Sequence, residues 1–346
     1  MEAASNPFDR ATGRVRGSLN MLDIQRKVEW VQVSGKWTRM SIMGLSLSPE
    51  NLVRENKGES EDRIIIFMIP GNPGNDGLYS DFGRRVIRNL IGREERLGDR
   101  KIQFIFYTVS NLNHVLLPPE LRGSSTHRVT DRFSLGEQVQ HKLDFVKEYL
   151  PRGQRVYMLG HGMGAYMLLS ILPYIKDDFH LRKAVCLFPA IERISETPNG
   201  IRLRKFISTL TTNDWLAKSL SFWIDLLPES TKKNIINMKL TPDQSYPELV
   251  DSITELLHMH VFRNVLHLFN DELEKINNLD ENLLFHKDLI YFYYGLNDGW
   301  CPIAQGEKMQ EKLARGHVIF DKTACESSFV FRDSTTMAEQ VLQFIV

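Results

Sequence analysis

The chain has 346 residues, 42% of them apolar, and carries 43 basic and 43 acidic side chains for a formal net charge of zero. That length supports one large α/β domain or two small ones with a substantial core, and the charge balance argues against the broad basic field of a nucleic-acid binder. Cys186, Cys301 and Cys325 are widely spaced and form no Cys-x-x-Cys or Cys/His cluster; this argues against a disulfide framework or metal site and for a reducing compartment. The first twenty residues hold Arg10, Arg14 and Arg16 but no signal-peptide core, and no run of about 18 uncharged apolar residues occurs. Neither secretion nor a membrane-spanning helix is expected.

After a polar start, taken as mobile over residues 1–20, Val28 to Val33 and Trp37 to Leu45 carry β-branched and aromatic residues around Ser34-Gly35, the pattern of a hairpin. A charged stretch, Asn51 to Asp62, follows. Ile64 to Ile69 is continuously apolar, as a central strand covered on both faces should be, and it ends in Pro70-Gly71-Asn72-Pro73-Gly74. Phe82 to Leu90 reads as helix and Ile102 to Val109 as a buried strand. Leu135 to Leu150 places Val139, Leu143, Val146 and Leu150 on one helical face. Arg155 to Leu159, Ala184 to Phe188, Leu289 to Tyr294 and Val318 to Phe320 are further strands, and a helix from Met337 closes the chain. Strands alternating with helices predict a mostly parallel sheet with helices on both faces.

Between Pro198 and Leu284 only helical patterns occur, which predicts a helical cap inserted into a single domain spanning 21–346. Trp215, Leu216, Leu220, Trp223, Ile224 and Leu227 form an amphipathic stripe there. Such a stripe packs a cap or contacts a membrane surface. Arg202, Arg204 and Lys205 favour a surface-seeking helix, while Asp214, Lys218 and Asp225 interrupt its apolar continuity.

The run Gly160-His161-Gly162-Met163-Gly164 stands between the strand at Arg155–Leu159 and the apolar helical run Ala165–Leu172. This is the context of the Gly-x-Ser-x-Gly nucleophile elbow, with glycine at the serine position. Glycine adopts the strained elbow backbone at little cost, so Gly162 preserves the turn and deletes the hydroxyl. The plainer reading is a glycine-rich turn. The run has neither the Gly-x-Gly-x-x-Gly spacing of a dinucleotide site nor the Gly-Lys-Ser/Thr ending of a P-loop, and no cofactor is expected.

Three ordered motifs together resemble the lipid droplet-associated hydrolase family: the loop at Pro70–Gly74, the elbow frame, and Leu187-Phe188-Pro189-Ala190 running on to Asn199-Gly200. Tyr293 to Pro302 is similar to that family's acid-bearing loop, and the likeness covers about residues 60 to 345. The resemblance implies an α/β-hydrolase fold, an ester hydrolase ancestry, and residence at lipid droplets and the cytosolic face of the endoplasmic reticulum. It also implies neutral lipid or sterol ester as ligand, with a lipase or other droplet protein as a further partner. The backbone N–H groups of Asn72 and Met163 correspond to the oxyanion hole, and Asp298 to the acid that orients an imidazole.

The other two positions differ. The family's serine aligns with Gly162 and its histidine with Ser327. Asp298 without an imidazole is also a turn-capping aspartate. His317 opens the last strand, far from where the histidine belongs; His161 reads as local packing; Ser327, Ser328 and Cys325 have no identified base. Loss of the serine or histidine of a triad lowers turnover about a millionfold, so ordinary triad hydrolysis is not expected. Three functions remain open: a degenerate hydrolase that binds lipid or protein, an active esterase with another nucleophile, and a structural droplet tether.

Overall fold

A computed structural model describes residues 24–45, 47, 63–97, 102–124, 126–212, 226–241 and 244–345. The opening polar stretch, the whole charged Asn51–Asp62 segment, and Trp215, Leu216, Leu220, Trp223 and Ile224 of the apolar stripe lie outside them, as do Asp214, Lys218 and Asp225.

Eight strands form one sheet: β1 Gln25–Val33, β2 Lys36–Gly44, β3 Arg63–Ile69, β4 Gln103–Val109, β5 Arg155–His161, β6 His180–Leu187, β7 Ile290–Tyr294 and β8 Val318–Phe320. Their spatial order is β1-β2-β4-β3-β5-β6-β7-β8. The hairpin β1–β2 is antiparallel and joins β4 antiparallel, whereas every pair from β4 to β8 is parallel. Ser34 and Gly35 both take positive φ, 45° and 77°, the two-residue turn whose twist matches a right-handed strand pair. Ile64 through Ile69 are completely buried, as expected of a strand with helices over both faces.

The helices used below are α1 Ser80–Leu97, α2 Leu135–Tyr149, α3 Met163–Ile171, α4 Pro198–Thr212, α5 Glu229–Asn237, α6 Pro247–Leu256, α7 Met259–Lys275, α8 Ile303–Lys312 and α9 Ser334–Val341. Helix α1 packs on α9, and α2 on α3. The start of α2 is fixed by a reciprocal cap in which Ser134 and Glu137 satisfy each other's backbone N–H groups. Helix α9 begins at Ser334, three residues before the apolar Met337 that marks it in the sequence; Met337, Ala338 and Val341 are its buried face.

Between β6 and β7, every labelled element among the described residues is a helix, α4 to α7. Helix α7 buries Val261, Asn264, Val265, Leu268 and Glu272, one face at helical spacing. Four of the parallel strands, β3, β5, β6 and β7, deliver their C-terminal ends to one edge of the sheet. Because β3 lies between β4 and β5, successive crossovers run in opposite directions there, and such a switch point opens a crevice at the carboxyl ends.

Candidate active site

The elbow follows β5 directly. Gly162 has φ 55° and ψ −119° and is followed at once by α3. An L side chain is strained in that conformation. A Cβ added at Gly162 would meet nothing within 4 Å, whereas one at Gly160 would lie 2.6 Å from the Gly164 carbonyl and one at Gly164 would collide with the carbonyl of Ile69. The outer glycines are therefore required by close approach of strand, helix and the neighbouring β3. Gly162 sits under open space, where a serine hydroxyl would project. Its N–H is tied to Leu187 at 3.0 Å and its carbonyl accepts from Ala190 at 3.1 Å, so β6 locks the turn from beside.

The loop after β3 is braced by side chains behind it. Gly71 N–H donates to the Tyr79 hydroxyl at 3.0 Å, Gly74 N–H to His114 Nδ1 at 3.1 Å, and Asn111 Nδ2 to the Gly71 carbonyl at 3.1 Å. Burial, with Lys142 adding to it, pushes the His114 imidazole down to about 3, so it stays neutral and accepts. Asn72 is thereby presented to a cavity of about 170 Å³ whose walls include Gly162, Met163, Phe269, Glu272, Trp300 and Ser327. As the first residue of α3, Met163 has no intrahelical acceptor for its N–H. The two positions read as an oxyanion hole thus border one cavity.

Asp298 follows β7 and is 8% exposed. Its Oδ1 accepts from the N–H groups of Trp300 at 2.7 Å and Cys301 at 2.9 Å, the turn-capping role expected of an aspartate here. Its Oδ2 accepts from the Ser327 N–H at 3.0 Å. The acid and histidine positions are therefore adjacent, and the partner of the carboxylate is a backbone amide. Ser327 contributes to the cavity wall, as does Ser328, whose hydroxyl donates to the exposed Glu326 at 3.3 Å.

His161 is more constrained than a local packing residue. Its Nδ1 lies 2.8 Å from the Tyr79 hydroxyl. That hydroxyl already accepts from Gly71, so its proton goes to Nδ1, and the imidazole carries its own proton on Nε2. Burial pushes this imidazole down to about 4, opposed by Asp298 and by a hydrogen bond to the Ser327 backbone. Its lone pair is committed to Tyr79, and it packs against Phe329 with ring centroids 4.7 Å apart. His317 bonds the Ile290 carbonyl at 2.8 Å and stacks on Tyr291, at the opposite end of β7 from Asp298. The three thiols are buried and unpaired. Burial pushes the Cys325 thiol up to about 12, with nearby acids adding to it, the reverse of an activated nucleophile.

Two residues absent from the sequence reading shape the site. Glu272 of α7 borders the cavity and accepts from Asn72 Nδ2 at 2.9 Å, the same amide that donates to the Val265 carbonyl at 3.1 Å. Burial pushes its carboxyl up to about 8 against the Asn72 bond, and neighbouring Asp271 adds to the rise. Phe269, one turn earlier, stacks on Trp300 with centroids 5.8 Å apart and an interplanar angle of 10°. The signal for both was the period of α7: Glu272 is the acid on the stripe of Val261, Val265 and Leu268.

A sheet of this order, an elbow after β5 and an acid after β7 define an α/β-hydrolase. Solved structures bear out the fold: a bacterial membrane phospholipase A covers 92% of this chain at a TM-score of 0.56, 12% identity and 86% of its own length. A peroxisomal alpha-beta-hydrolase from Saccharomyces cerevisiae covers 93%, at a TM-score of 0.53, 12% identity and 88% of its own length. Residues 62–330 match the model of the lipid-droplet associated hydrolase family, and the chain belongs to that family. The lipid droplet-associated hydrolase of Mus musculus is 27% identical over 294 residues, 84% of this chain and 87% of its own. That of Drosophila melanogaster is 25% identical over 292 residues, 82% and 89% of the two chains.

Proposed function

We propose that this family member is a catalytically degenerate hydrolase that binds a neutral lipid, an acyl or sterol ester, in the cavity over Gly162 and acts in neutral-lipid storage at the droplet surface and the cytosolic face of the endoplasmic reticulum. The observation that carries this reading is the pairing of an intact elbow backbone at Gly162 with a backbone amide, that of Ser327, on the acid. A hydroxyl and an imidazole are the two groups that acyl transfer needs at those places. The supports that remain, Asn72 and Met163, stabilise a bound carbonyl oxygen without cleaving it.

The 198–284 segment acts in this reading as a cap that closes the cavity through α7 and meets the droplet through α4 and α5. The second role has its own support. Ile201 and Phe206 on α4, Ile235 on α5 and Met238 just past its C-terminus are exposed, Met238 to 84%. Arg202, Arg204 and Lys205 lie among them, a composition suited to an interfacial helix. No helix among the described residues is long and apolar enough to cross a membrane. A purely structural tether is the second reading, and a lipase or another droplet protein is the further partner either would serve.

The test is esterase activity on short-chain and sterol esters for the natural protein, Gly162→Ser, Ser327→His and the double substitution, each checked for folding. A silent natural protein and turnover only in the double variant support the degenerate reading. Hydrolysis by the purified natural protein well above the uncatalysed rate overturns it and favours the rival, an active esterase with another nucleophile. Binding of no ester by any variant leaves the tether.

A further inference from the structure

We propose that Glu272 is the specificity-determining residue of this cavity: as an uncharged carboxyl it donates from Oε2 to an oxygen of an acyl ester held over Gly162, where no described cationic side chain stands to balance an anionic lipid. The proposal rests on the reading of the cavity as a lipid site.

The geometry sets the direction of the bond. Asn72 Nδ2 spends both its protons, one on Val265 and one on Glu272 Oε1. Glu272 Oε1 is thus an acceptor, and among the described residues no donor is bonded to Oε2, while the side chain, 3% exposed, borders the cavity. A carboxyl buried among apolar groups with one amide for company is held protonated by the cost of desolvating the anion. Its proton then resides on Oε2, a donor carried by a side chain of the cavity wall.

Among the described residues, the surroundings offer no cationic side chain to balance a full negative charge in the cavity. No lysine or arginine among the described residues lines it. His161, also in the cavity wall, is neutral with its lone pair on Tyr79. On α7 itself Asp271 is engaged by Lys275 and by the Leu135 N–H. Around α7, Arg202, Arg204 and Lys205 of α4 are exposed, Arg193 pairs with Glu196 at the surface, and Glu255 of α6 is held by Arg39. A carboxylate or phosphate brought to this cavity meets neutral donors and a carboxyl that repels it once ionised. An ester carbonyl meets two backbone N–H groups and one O–H, with no charge to desolvate.

Binding of methyl decanoate and of decanoate to the full chain, at about pH 6 and about pH 10, tests this with the natural protein and Glu272→Gln. The expected result is ester bound about tenfold or more tighter than the carboxylate, with ester affinity falling about tenfold at the higher pH. Glu272→Gln, whose amide keeps an acceptor for Asn72 and a donor for the cavity, retains ester binding and loses the pH dependence. Ester affinity equal at both pH values in the natural protein, or equal affinity for ester and carboxylate, overturns the assignment of Glu272 alone. Failure of the natural protein to bind either compound overturns the lipid-site reading and this proposal with it. The pH profile of the natural protein stands even if the variant does not fold.

Discussion

Asn72 and Glu272, 200 residues apart, are joined by a hydrogen bond of 2.9 Å that ties the loop after β3 to helix α7. Only the protonated carboxyl is comfortable in that burial, and the unfolded chain ionises Glu272 near the ordinary glutamate value of about 4.3. The folded carboxyl, pushed up to about 8, binds its proton over a window where the unfolded one has lost it. Stability is therefore lost as pH rises from about 4 to about 8 and is level above. Glu272→Gln removes that penalty. Thermal melts should show the variant more stable by on the order of 2 kcal/mol at pH 8, with the advantage gone near pH 4. An unchanged melting temperature at both pH values would contradict the protonated state.

Asp76 should behave with the opposite sign. Burial alone would raise its carboxyl, but Arg39 and Arg26 hold it far below the usual carboxylate range. Arg39 Nε lies 2.6 Å from Oδ1 and Arg26 Nη2 2.7 Å from Oδ2, with Ser110 donating at 2.8 Å and Ser41 also bonded. Its contribution is complete above about pH 4 and is lost as pH falls below that. Asp76→Ala leaves two guanidinium groups partly buried, Arg39 with Glu255 and Arg26 with the field of Glu248 for compensation, and should cost about 3–5 kcal/mol in denaturant melts at neutral pH.

The three elbow glycines should separate by mechanism. Gly162→Ala meets only backbone strain at φ 55° and should cost about 1–3 kcal/mol, leaving a folded protein. Gly160→Ala and Gly164→Ala drive a methyl into neighbouring backbone, with no flexible side chain to yield. Both should cost more than Gly162→Ala, and circular dichroism melts of the three variants rank them. Equal losses would mean that close approach is not what holds the outer positions.

Charging the exposed apolar residues on α4 and just past α5 separates droplet contact from folding. Phe206→Asp with Met238→Asp alters side chains that are 48% and 84% exposed. Stability should move by no more than about 0.5 kcal/mol per site. Recovery on floated artificial droplets should fall several-fold, since each loses apolar area that would enter the lipid interface. Undiminished flotation would assign targeting to another surface.

The fold was legible where burial leaves a simple pattern. Ile64 to Ile69 has to be apolar on both faces, so it is visible as a central strand, and the elbow announces itself because close approach admits only glycine at 160 and 164. The frame around Gly162 was legible as a strand-to-helix turn, whereas Asn72, Met163, Asp298 and Ser327 were assigned through the family resemblance. Glu272, Tyr79 and Phe269 were not found. Their roles depend on contacts between segments as distant as Asn72 and Glu272, for which local spacing carries no signal. The acid on the α7 stripe was a visible conflict between a buried position and a charged residue, and such conflicts concentrate at functional sites. His161 was taken for packing, and only the Tyr79 contact reveals which of its nitrogens bears the proton.

Asp298 holds the amides of Trp300 and Cys301 with one oxygen and that of Ser327 with the other. It thus fastens the loops after β7 and β8 to each other without any imidazole. Selection for a folded chain is enough to preserve an aspartate in that place, whether or not the chain turns a substrate over. A surviving acid in a relative that lacks the serine and histidine is accordingly a mark of architecture, and the chemistry of any such chain must be judged from the elbow and the last loop.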